Sequence, residues 1–403
     1  MKIIFLICKQ FRQKILNNMG LDVLSYYSKI EIWDISSLLA IDLHVNYHDI
    51  INHKKLKKIN SWSDFYNQLG QINKKQTLLI PLHYAGGNYQ FLFDLLNKYN
   101  IDYAIKETRT VPRPIISNSI YQKNSQSIIS IRKIIIYITL WLIKNFYIRK
   151  YIISNLKKRY INPKYVLVGN ELSNRTALSK YNLNKTKIIK SHVDDYERYL
   201  EYLNNQSNQI IQKSKNNKSL VFLDEYLPFH DESLRIAGKM PVSIDYYREI
   251  SKFLLQTLNY LNLDQAVIAL HPNANKEDLA KFFTNDKFLL VQGKTMEYVA
   301  DSKIVIGHES TSFNYAILCY KPIMIIKTIE LMNSRFNPSI NYFAKLLKRK
   351  PNLLTQNNNL SKFDFGLNET AYKSYIDKYI KFKDTPDKKQ WEIFLEQIVK
   401  DYT

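Results

Sequence analysis

The chain alternates short apolar runs with longer segments of helical spacing. In the first half, apolar runs lie at 2–6, 29–33, 77–82, 101–105 and 165–168, each bounded by polar or turn residues. Runs of this length, separated by helix-like segments, are typical of parallel strands joined by crossover helices. The pattern therefore predicts an α/β fold with a doubly wound sheet.

The second half repeats this alternation. It begins with the strand-like run at 219–223, continues through helical spacing at 245–261, and reaches two strand-to-loop junctions that start at Ala266 and Ser302. Each junction is a β-branched run that ends abruptly in polar residues. Ligands in open α/β sheets bind at the carboxyl ends of the strands, so the two junctions are the first candidates for a binding site.

A polar stretch at 205–218 separates the two alternations. A length of 403 residues also favours two domains, because single hydrophobic cores rarely grow so large. We predict a first domain at 1–204, a second at 219–385, and a C-terminal helix at 386–403 whose apolar stripe packs as core. The simplest architecture has two Rossmann-like domains that face a central cleft.

One segment, 127–160, is dense in apolar and aromatic residues and studded with Lys and Arg. Its uninterrupted apolar part is about half of the ~20 residues that span a bilayer. Two interpretations remain open: buried helices with solvated basic residues, or an interfacial segment on an anionic leaflet. Because the N-terminal apolar run is also too short for a secretory signal, we expect a cytoplasmic protein, peripheral on the inner face of the membrane.

The formal net charge of +22 attracts polyanions, but much of it is Lys in a chain rich in Asn, Ile and Tyr. No zinc spacing or helix-turn-helix signature accompanies it, so nucleic acid is not an expected partner. Cys8 and Cys319 are the only cysteines, which argues against a disulfide framework. No cluster of His and carboxylates has the spacing of metal ligands, so no metal is expected.

His271 and Pro272 end one of the two candidate strands. Proline stops the strand and directs the preceding imidazole away from the sheet edge, where it could donate to a phosphate. A loop histidine that only caps local backbone is the alternative.

The other junction ends in a polar turn that precedes a helix and comprises His308, Glu309, Ser310, Thr311 and Ser312. Helix capping explains one of the three hydroxyls, and a helix N-terminus also attracts phosphate. We expect the strands of the two junctions to be adjacent, so that His271 and this turn hold one phosphate from two sides.

A base for proton removal could come from either of two acidic pairs. Asp194 and Asp195, with His192 beside them, follow a short strand, and adjacent carboxylates raise the pKa of one of the pair. We predict the catalytic base here. A surface or capping cluster is the alternative for either pair.

The second acidic pair, Asp224 and Glu225, ends a strand, and we expect it to line the cleft together with His230. In the first half, His83 and Gly86 follow a strand and could line the other side of the cleft. The alternative is that the glycine only makes a tight turn.

The HP dipeptide, the Ser/Thr turn and the following KP at 321–322, in this order, resemble bacterial glycosyltransferases of the GT-B fold that use CMP-activated sugars. The resemblance covers 219–326 and extends to Kdo and pseudaminic acid transferases and to polyol-phosphate polymerases. The sialyltransferases among these enzymes carry a D/E-D/E-G motif in the first domain. Asp194 and Asp195 are similar to it, but Tyr196 stands where glycine is expected.

The resemblance implies roles for single residues. His271 and the Ser310–Thr311 pair would bind the CMP phosphate, and Lys321–Pro322 would mark the strand that closes the nucleotide pocket. Glu297 would bind the ribose hydroxyls, although a carboxylate in the first turn of a helix is also common for electrostatic reasons.

The implied activity is transfer of a nonulosonic acid or Kdo from a CMP-activated donor to a growing or lipid-linked surface glycan, without a metal or other cofactor. A CDP-polyol phosphotransferase would use the same cytidine pocket and is the first alternative. A non-catalytic basic protein that binds membrane or nucleic acid is the second.

Overall fold

The computed structural model describes residues 1–39, 50–82, 90–108, 112–114, 161–208, 218–229, 240–355 and 357–402. The described residues fall into two compact units. The first takes in Met1–Thr108, Thr385–Thr403 and the described part of Ile115–Ser191, and the second takes in Arg109–Pro114 and His192–Asp384. The 127–160 segment and the candidates His83, Gly86 and His230 lie outside the described residues.

The chain enters the second unit at His192 and leaves it after Asp384. The boundary predicted from sequence is the polar stretch 205–218, which begins within the last turn of the helix Asp194–Asn208. That helix belongs to the second unit, because Tyr196 on its first turn packs into the core of that unit. The chain passes between the two units before this helix, and the predicted polar stretch follows that point in the sequence.

The first unit contains seven parallel strands among its described residues. They are β1 (Lys2–Ile7), β2 (Lys29–Asp34), β3 (Leu56–Lys58), β4 (Thr77–Leu82), β5 (Ala104–Glu107), β6 (Tyr165–Val168) and β7 (Lys187–Lys190). The order is β3-β2-β1-β4 in one sheet and β5-β6-β7 in another. A parallel bridge between Leu79 and Tyr103 links the two sheets. The helices are Gln13–Asn17, Leu21–Tyr27, Ser36–Leu39, Trp62–Gly70, Gln90–Lys98, Glu171–Lys180 and Gln390–Ile398.

The second unit is built on one sheet of six strands. They are β8 (Ser219–Leu223), β9 (Gln265–Ala269), β10 (Phe288–Val291), β11 (Ile304–Gly307), β12 (Ile323–Lys327) and β13 (Asn352–Leu353). Its order is β10-β9-β8-β11-β12-β13, and every pair is parallel. Counted from β8, this is the doubly wound order 3-2-1-4-5-6 of a Rossmann fold. The helices are Asp194–Asn208, Asp245–Leu261, Lys276–Ala280, Thr295–Asp301, Phe313–Leu318, Ile329–Met332, Asn337–Leu346 and Glu369–Tyr375.

The central strands are buried on both faces, which explains their unbroken apolar runs. Residues 3–7 in β1 and 220–222 in β8 have no exposed surface, as expected for parallel strands covered by helices on both sides. The prediction of α/β units with doubly wound parallel sheets is confirmed. Their arrangement across a central cleft stays a prediction.

The C-terminal helix packs on the first unit. Trp391 lies edge-on to Phe5 of β1, and its indole nitrogen donates to the carbonyl of Asn18 at 3.1 Å. Gly20 has a positive φ of 60°, and a Cβ there would overlap the Trp391 ring. Glycine at this position therefore lets the helix approach closely. None of the helices within the described residues is long and apolar enough to cross a bilayer.

Candidate functional site

The sheet of the second unit has its switch point between β8 and β11. From β8 the chain proceeds to β9 on one side, and from β11 it proceeds to β12 on the other. Crevices outside the carboxyl ends of strands at such a point are where open α/β sheets bind ligands. We call the carboxyl ends of β9, β8 and β11 the switch-point edge.

The strands that precede His271 and Ser310 are not neighbours, so the predicted adjacency is wrong. β8 lies between β9 and β11, and two strand spacings amount to about 10 Å. In a 3-2-1-4 order the first strand occupies the middle, whatever the position of the motifs along the chain. As a result, Asp224 and Glu225 at the end of β8 lie between the two predicted phosphate-binding loops.

Asp224 is 4% exposed and accepts three hydrogen bonds. Its Oδ1 accepts from the Tyr226 backbone amide and the Tyr247 hydroxyl, each at 3.0 Å, and its Oδ2 accepts from the His271 amide at 3.4 Å. Burial raises the pKa of Asp224 to about 6, although these donors oppose the shift. The carboxylate therefore links the ends of β8 and β9 to the helix Asp245–Leu261.

Glu225 and Glu309 meet across the switch point. The backbone amide of Glu309 donates to Glu225 Oε1 at 3.0 Å. Burial raises the pKa of Glu225 to about 8, and repulsion from the Glu309 charge is the second largest cause. Burial likewise raises the pKa of Glu309 to about 7, against the influence of Ser339 and nearby arginines. Glu225 therefore keeps its proton to a higher pH than an ordinary carboxyl group, and the charge of Glu309 adds to the effect of burial.

His271 is half-buried at the end of β9, on a loop that is fixed by its own contacts. The Asn273 backbone amide donates to His271 Nδ1 at 3.2 Å, so in the neutral ring Nε2 carries the proton. The Gln292 side-chain amide donates to the carbonyls of His271, Pro272 and Ala274 at 3.0 to 3.3 Å. The loop therefore presents a defined N–H donor at the switch-point edge.

His308 is buried and both ring nitrogens are bonded within the protein. Nδ1 lies 2.6 Å from the Ile326 carbonyl, and Nε2 lies 2.7 Å from the Tyr246 hydroxyl. Burial lowers its pKa to about 4, so the ring is neutral and donates from Nδ1. His308 thus braces β11 against β12 and the helix Asp245–Leu261, and its role in donor binding stays a prediction.

Three hydroxyl-bearing residues follow β11 as predicted. Ser310 Oγ accepts from the Ser312 amide at 3.3 Å, whereas Ser312 makes no capping bond to the helix Phe313–Leu318. Thr311 is exposed and Ser312 is half-buried. The local turn therefore uses Ser310 as its acceptor, and all three side chains remain at the same end of the sheet as Glu309.

The residues predicted to supply the catalytic base lie against the helix Phe313–Leu318, which follows this turn. Asp195 Oδ2 accepts from Asn314 Nδ2 at 2.8 Å, and burial raises the pKa of Asp195 despite that bond. His192 is fully buried, with its ring 5.0 Å from that of Tyr196. Asp194 is half-buried in the same first turn as Asp195. Catalysis by these residues stays a prediction.

The remaining candidates lie further from the switch point. Glu297 is exposed in the first turn of Thr295–Asp301, the helix that follows β10. Lys321 and Pro322 precede β12, and the Pro322 carbonyl accepts from Val305 at the start of β11. They therefore lie at the amino ends of the strands, opposite the switch-point edge, although β12 itself is adjacent to β11.

Sequence reasoning missed Tyr246, Tyr247, Gln292 and the role of Glu309. The two tyrosines lie on the buried face of a helix, and their hydroxyls reach His308 and Asp224. Nothing in their spacing distinguishes such residues from ordinary core aromatics. Within the described part of the chain, no group of three or more His, Cys, Asp or Glu residues is arranged to hold a metal ion.

No family model matches the sequence, and no curated protein matches it. Solved structures do match it, and three of them are the following. S. aureus MnaA with UDP is 11% identical with a TM-score of 0.48, over 99% of this chain and 97% of that chain. The UDP-GlcNAc 2-epimerase of Methanocaldococcus jannaschii is 10% identical with a TM-score of 0.47, over 99% of each chain. The wall teichoic acid polymerase TagF is 11% identical with a TM-score of 0.44, over 100% of this chain and 88% of that chain. Similarity at this level assigns no activity to the chain.

Proposed function

We propose that the protein is a glycosyltransferase that binds a nucleotide-activated sugar at the switch-point edge of its second unit. The observation that carries the proposal is the set of three carboxyl groups there, all with raised pKa: Asp224, Glu225 and Glu309. Perturbed carboxyl groups at a ligand-binding edge are typical of catalytic sites.

Glu225 is the proposed general base, with Glu309 as its partner. A transferase must remove the proton of the acceptor hydroxyl as the new bond forms, and a base works best when its pKa is near the operating pH. The pKa values of about 8 for Glu225 and about 7 for Glu309 meet this condition. Asp224 has its oxygens engaged by three donors, which suits it to positioning His271.

The donor phosphate is proposed to lie across the end of β8, between His271 on one side and Ser310 and Thr311 on the other. The separation of about 10 Å between their strands leaves room for a phosphate that accepts from both sides. Donors held in place there would stabilise the negative charge that develops on the departing nucleotide. This uses both predicted loops, although they are not adjacent.

The finer assignment is a CMP-activated nonulosonic acid or Kdo as donor and a growing or lipid-linked surface glycan as acceptor. It is supported by the order of HP, the Ser/Thr turn and KP along the sequence. A CDP-polyol phosphotransferase is the competing proposal, because it would place the same nucleotide at the same edge. We propose that either enzyme would act at the inner face of the cell membrane.

Calorimetric titration of CMP, CDP and UDP tests this proposal. We expect CMP to bind most tightly, and His271→Ala to weaken that binding by about tenfold, since a hydrogen bond to a charged group contributes about 1.5 kcal/mol or more. Preference for CDP would favour the polyol phosphotransferase. Failure of all three nucleotides to bind would rule out both enzymes.

A further inference from the structure

A groove lies on the surface of the second unit, lined by residues other than those of the switch-point edge. It has a volume of about 630 Å³ and runs between the helix Asp245–Leu261 and the residues that follow the helix Lys276–Ala280. Its lining combines three cations with three large apolar side chains: Arg248, Lys252 and Lys281, and Ile244, Leu255 and Phe282. None of these residues belongs to the site proposed above.

The groove follows from the two faces of one helix. Arg248, Lys252 and Leu255 are spaced by four and three residues, so they form one stripe along the outer side of Asp245–Leu261. Tyr247 and Ile250 of the same helix are buried in the core. The outer stripe thus carries cations beside an apolar side chain, and Ile244 at its start is 40% exposed.

The apolar floor of the groove is held in place. The Phe282 ring stacks on Tyr247 with centroids 5.4 Å apart and an angle of 26° between the planes. Lys281 Nζ lies 5.6 Å from the centroid of the Phe282 ring. Because Tyr247 is itself bonded to Asp224, this side of the groove needs little ordering when a ligand binds.

The charges that face the groove are positive. Arg248 is paired with Asp245, and Lys281 is paired with Asp278 at 3.7 Å, but neither aspartate lines the groove. Such exposed pairs are weak and exchange readily with other anions. Lys252 forms no ion pair with any residue that the structure describes. The groove therefore offers cations to an incoming anion above an apolar surface.

We propose that this groove docks the protein on an anionic lipid bilayer. Lipid phosphates would lie against Arg248, Lys252 and Lys281, while Ile244 and Phe282 contact the boundary between headgroups and acyl chains. The apolar floor favours lipid over nucleic acid or free phosphate, since those ligands would engage the cations and leave the floor in water. A net charge of +22 draws the chain toward such a surface. The proposal rests on the membrane association that the proposed function includes, and its test is separate from the test of nucleotide binding.

Flotation of the full chain with phosphatidylcholine vesicles, with or without one third phosphatidylglycerol, tests it at low salt. The triple variant Arg248→Gln, Lys252→Gln, Lys281→Gln should bind the anionic vesicles about tenfold more weakly than wild type. A matched control, Lys303→Gln, Lys362→Gln, Lys373→Gln, removes the same charge from exposed positions of the same unit. The affinity of this control for the anionic vesicles should stay within about twofold of the wild-type affinity.

Ile244→Ser separates lipid from other anions, because it removes an exposed apolar contact and no charge. It should weaken vesicle binding several-fold while leaving retention on a single-stranded oligonucleotide column unchanged. The proposal is overturned if the wild-type protein does not float with anionic vesicles, or if the groove variant floats like wild type. It is also overturned if the control variant loses as much vesicle binding as the groove variant. Wild-type vesicle binding by Ile244→Ser also overturns it. Nucleotide titration of the same variants reports separately on the switch-point edge.

Discussion

The two units contain the same arrangement of central strands but end them in different chemistry. β3-β2-β1-β4 in the first unit and β10-β9-β8-β11 in the second are both 3-2-1-4 parallel orders. The middle strand is followed by Cys8 and Lys9 in the first unit, and by Asp224 and Glu225 in the second. The topology provides a switch point twice, and the side chains decide which one can do acid–base chemistry.

Cys8 and Asp224 occupy matching places with almost the same burial, 1% and 4% exposed. The Cys8 thiol donates a long hydrogen bond of 3.7 Å to the Leu6 carbonyl, and burial raises its pKa well above the usual range. Asp224 is held by three donors, including the Tyr247 hydroxyl. A buried carboxylate persists only where neighbouring elements supply hydrogen bonds. Helix packing, and not strand order, therefore makes one of the two edges polar.

The largest expected effect is on turnover. Glu225→Gln should lower the rate of nucleotide release from the donor by about 1000-fold, because a general base contributes 10² to 10⁴. Lys9→Gln, at the corresponding position of the first unit, should change it less than about twofold. Asp195→Asn is the decisive comparison. If this variant loses more activity than Glu225→Gln, the base is in the cluster predicted from sequence.

The next effect is on stability. Cys8→Asp should lower the free energy of unfolding by about 3 kcal/mol, since the new carboxylate would be buried without the donors that Asp224 has. Cys8→Ser, which introduces a neutral polar group of similar size, serves as the control. It should lower the free energy of unfolding clearly less than Cys8→Asp does. Urea unfolding measures both. A Cys8→Asp protein as stable as wild type would show that the first edge can also hold a carboxylate.

The pH dependence should have opposite signs in the two units. Burial raises the pKa of Glu225 to about 8, so between about pH 4 and 8 the folded state keeps a proton that the unfolded state releases. The free energy of unfolding of the second unit should therefore fall as pH rises through this window. Glu225→Gln should remove much of the slope.

In the first unit, partial burial raises the pKa of Asp22 and Glu31, but bonds to Lys389 and Lys2 outweigh it and leave both values lowered. Their contribution to stability is present above the unfolded pKa and is lost as pH falls below about 4. Hydrogen exchange of amides in β1 and β8, followed from pH 4 to 8, resolves the two trends. If the stability of both units changed in the same direction with pH, the predicted difference between the units would be wrong.

The smallest effect is on the loop after β9. His271→Ala should reduce turnover by about tenfold, as one charge-assisted hydrogen bond to the phosphate is lost. Gln292→Ala tests whether the loop matters through its shape, because it removes the bonds to three loop carbonyls and no group that touches the phosphate. It should lower turnover by a smaller factor. Equal losses would assign His271 a purely local role.

The sequence by itself determined the class of fold, most strand positions and the helix Asp245–Leu261, whose predicted bounds the structure reproduces. These features depend on hydrophobic period and on polar residues at strand ends, which are local in the chain. It also identified Asp224, Glu225 and His271 as residues at strand ends. Local pattern therefore located the candidate chemistry.

Only the tertiary structure decided which of these residues are neighbours. β8 separates the loops of His271 and Ser310, and the backbone of Glu309 reaches Glu225 although the two are 84 residues apart in the chain. It also assigned the helix Asp194–Asn208 to the second unit. Strand order and helix docking are set by the packing of the whole core, since every strand of the pattern looks alike until its two neighbours are known.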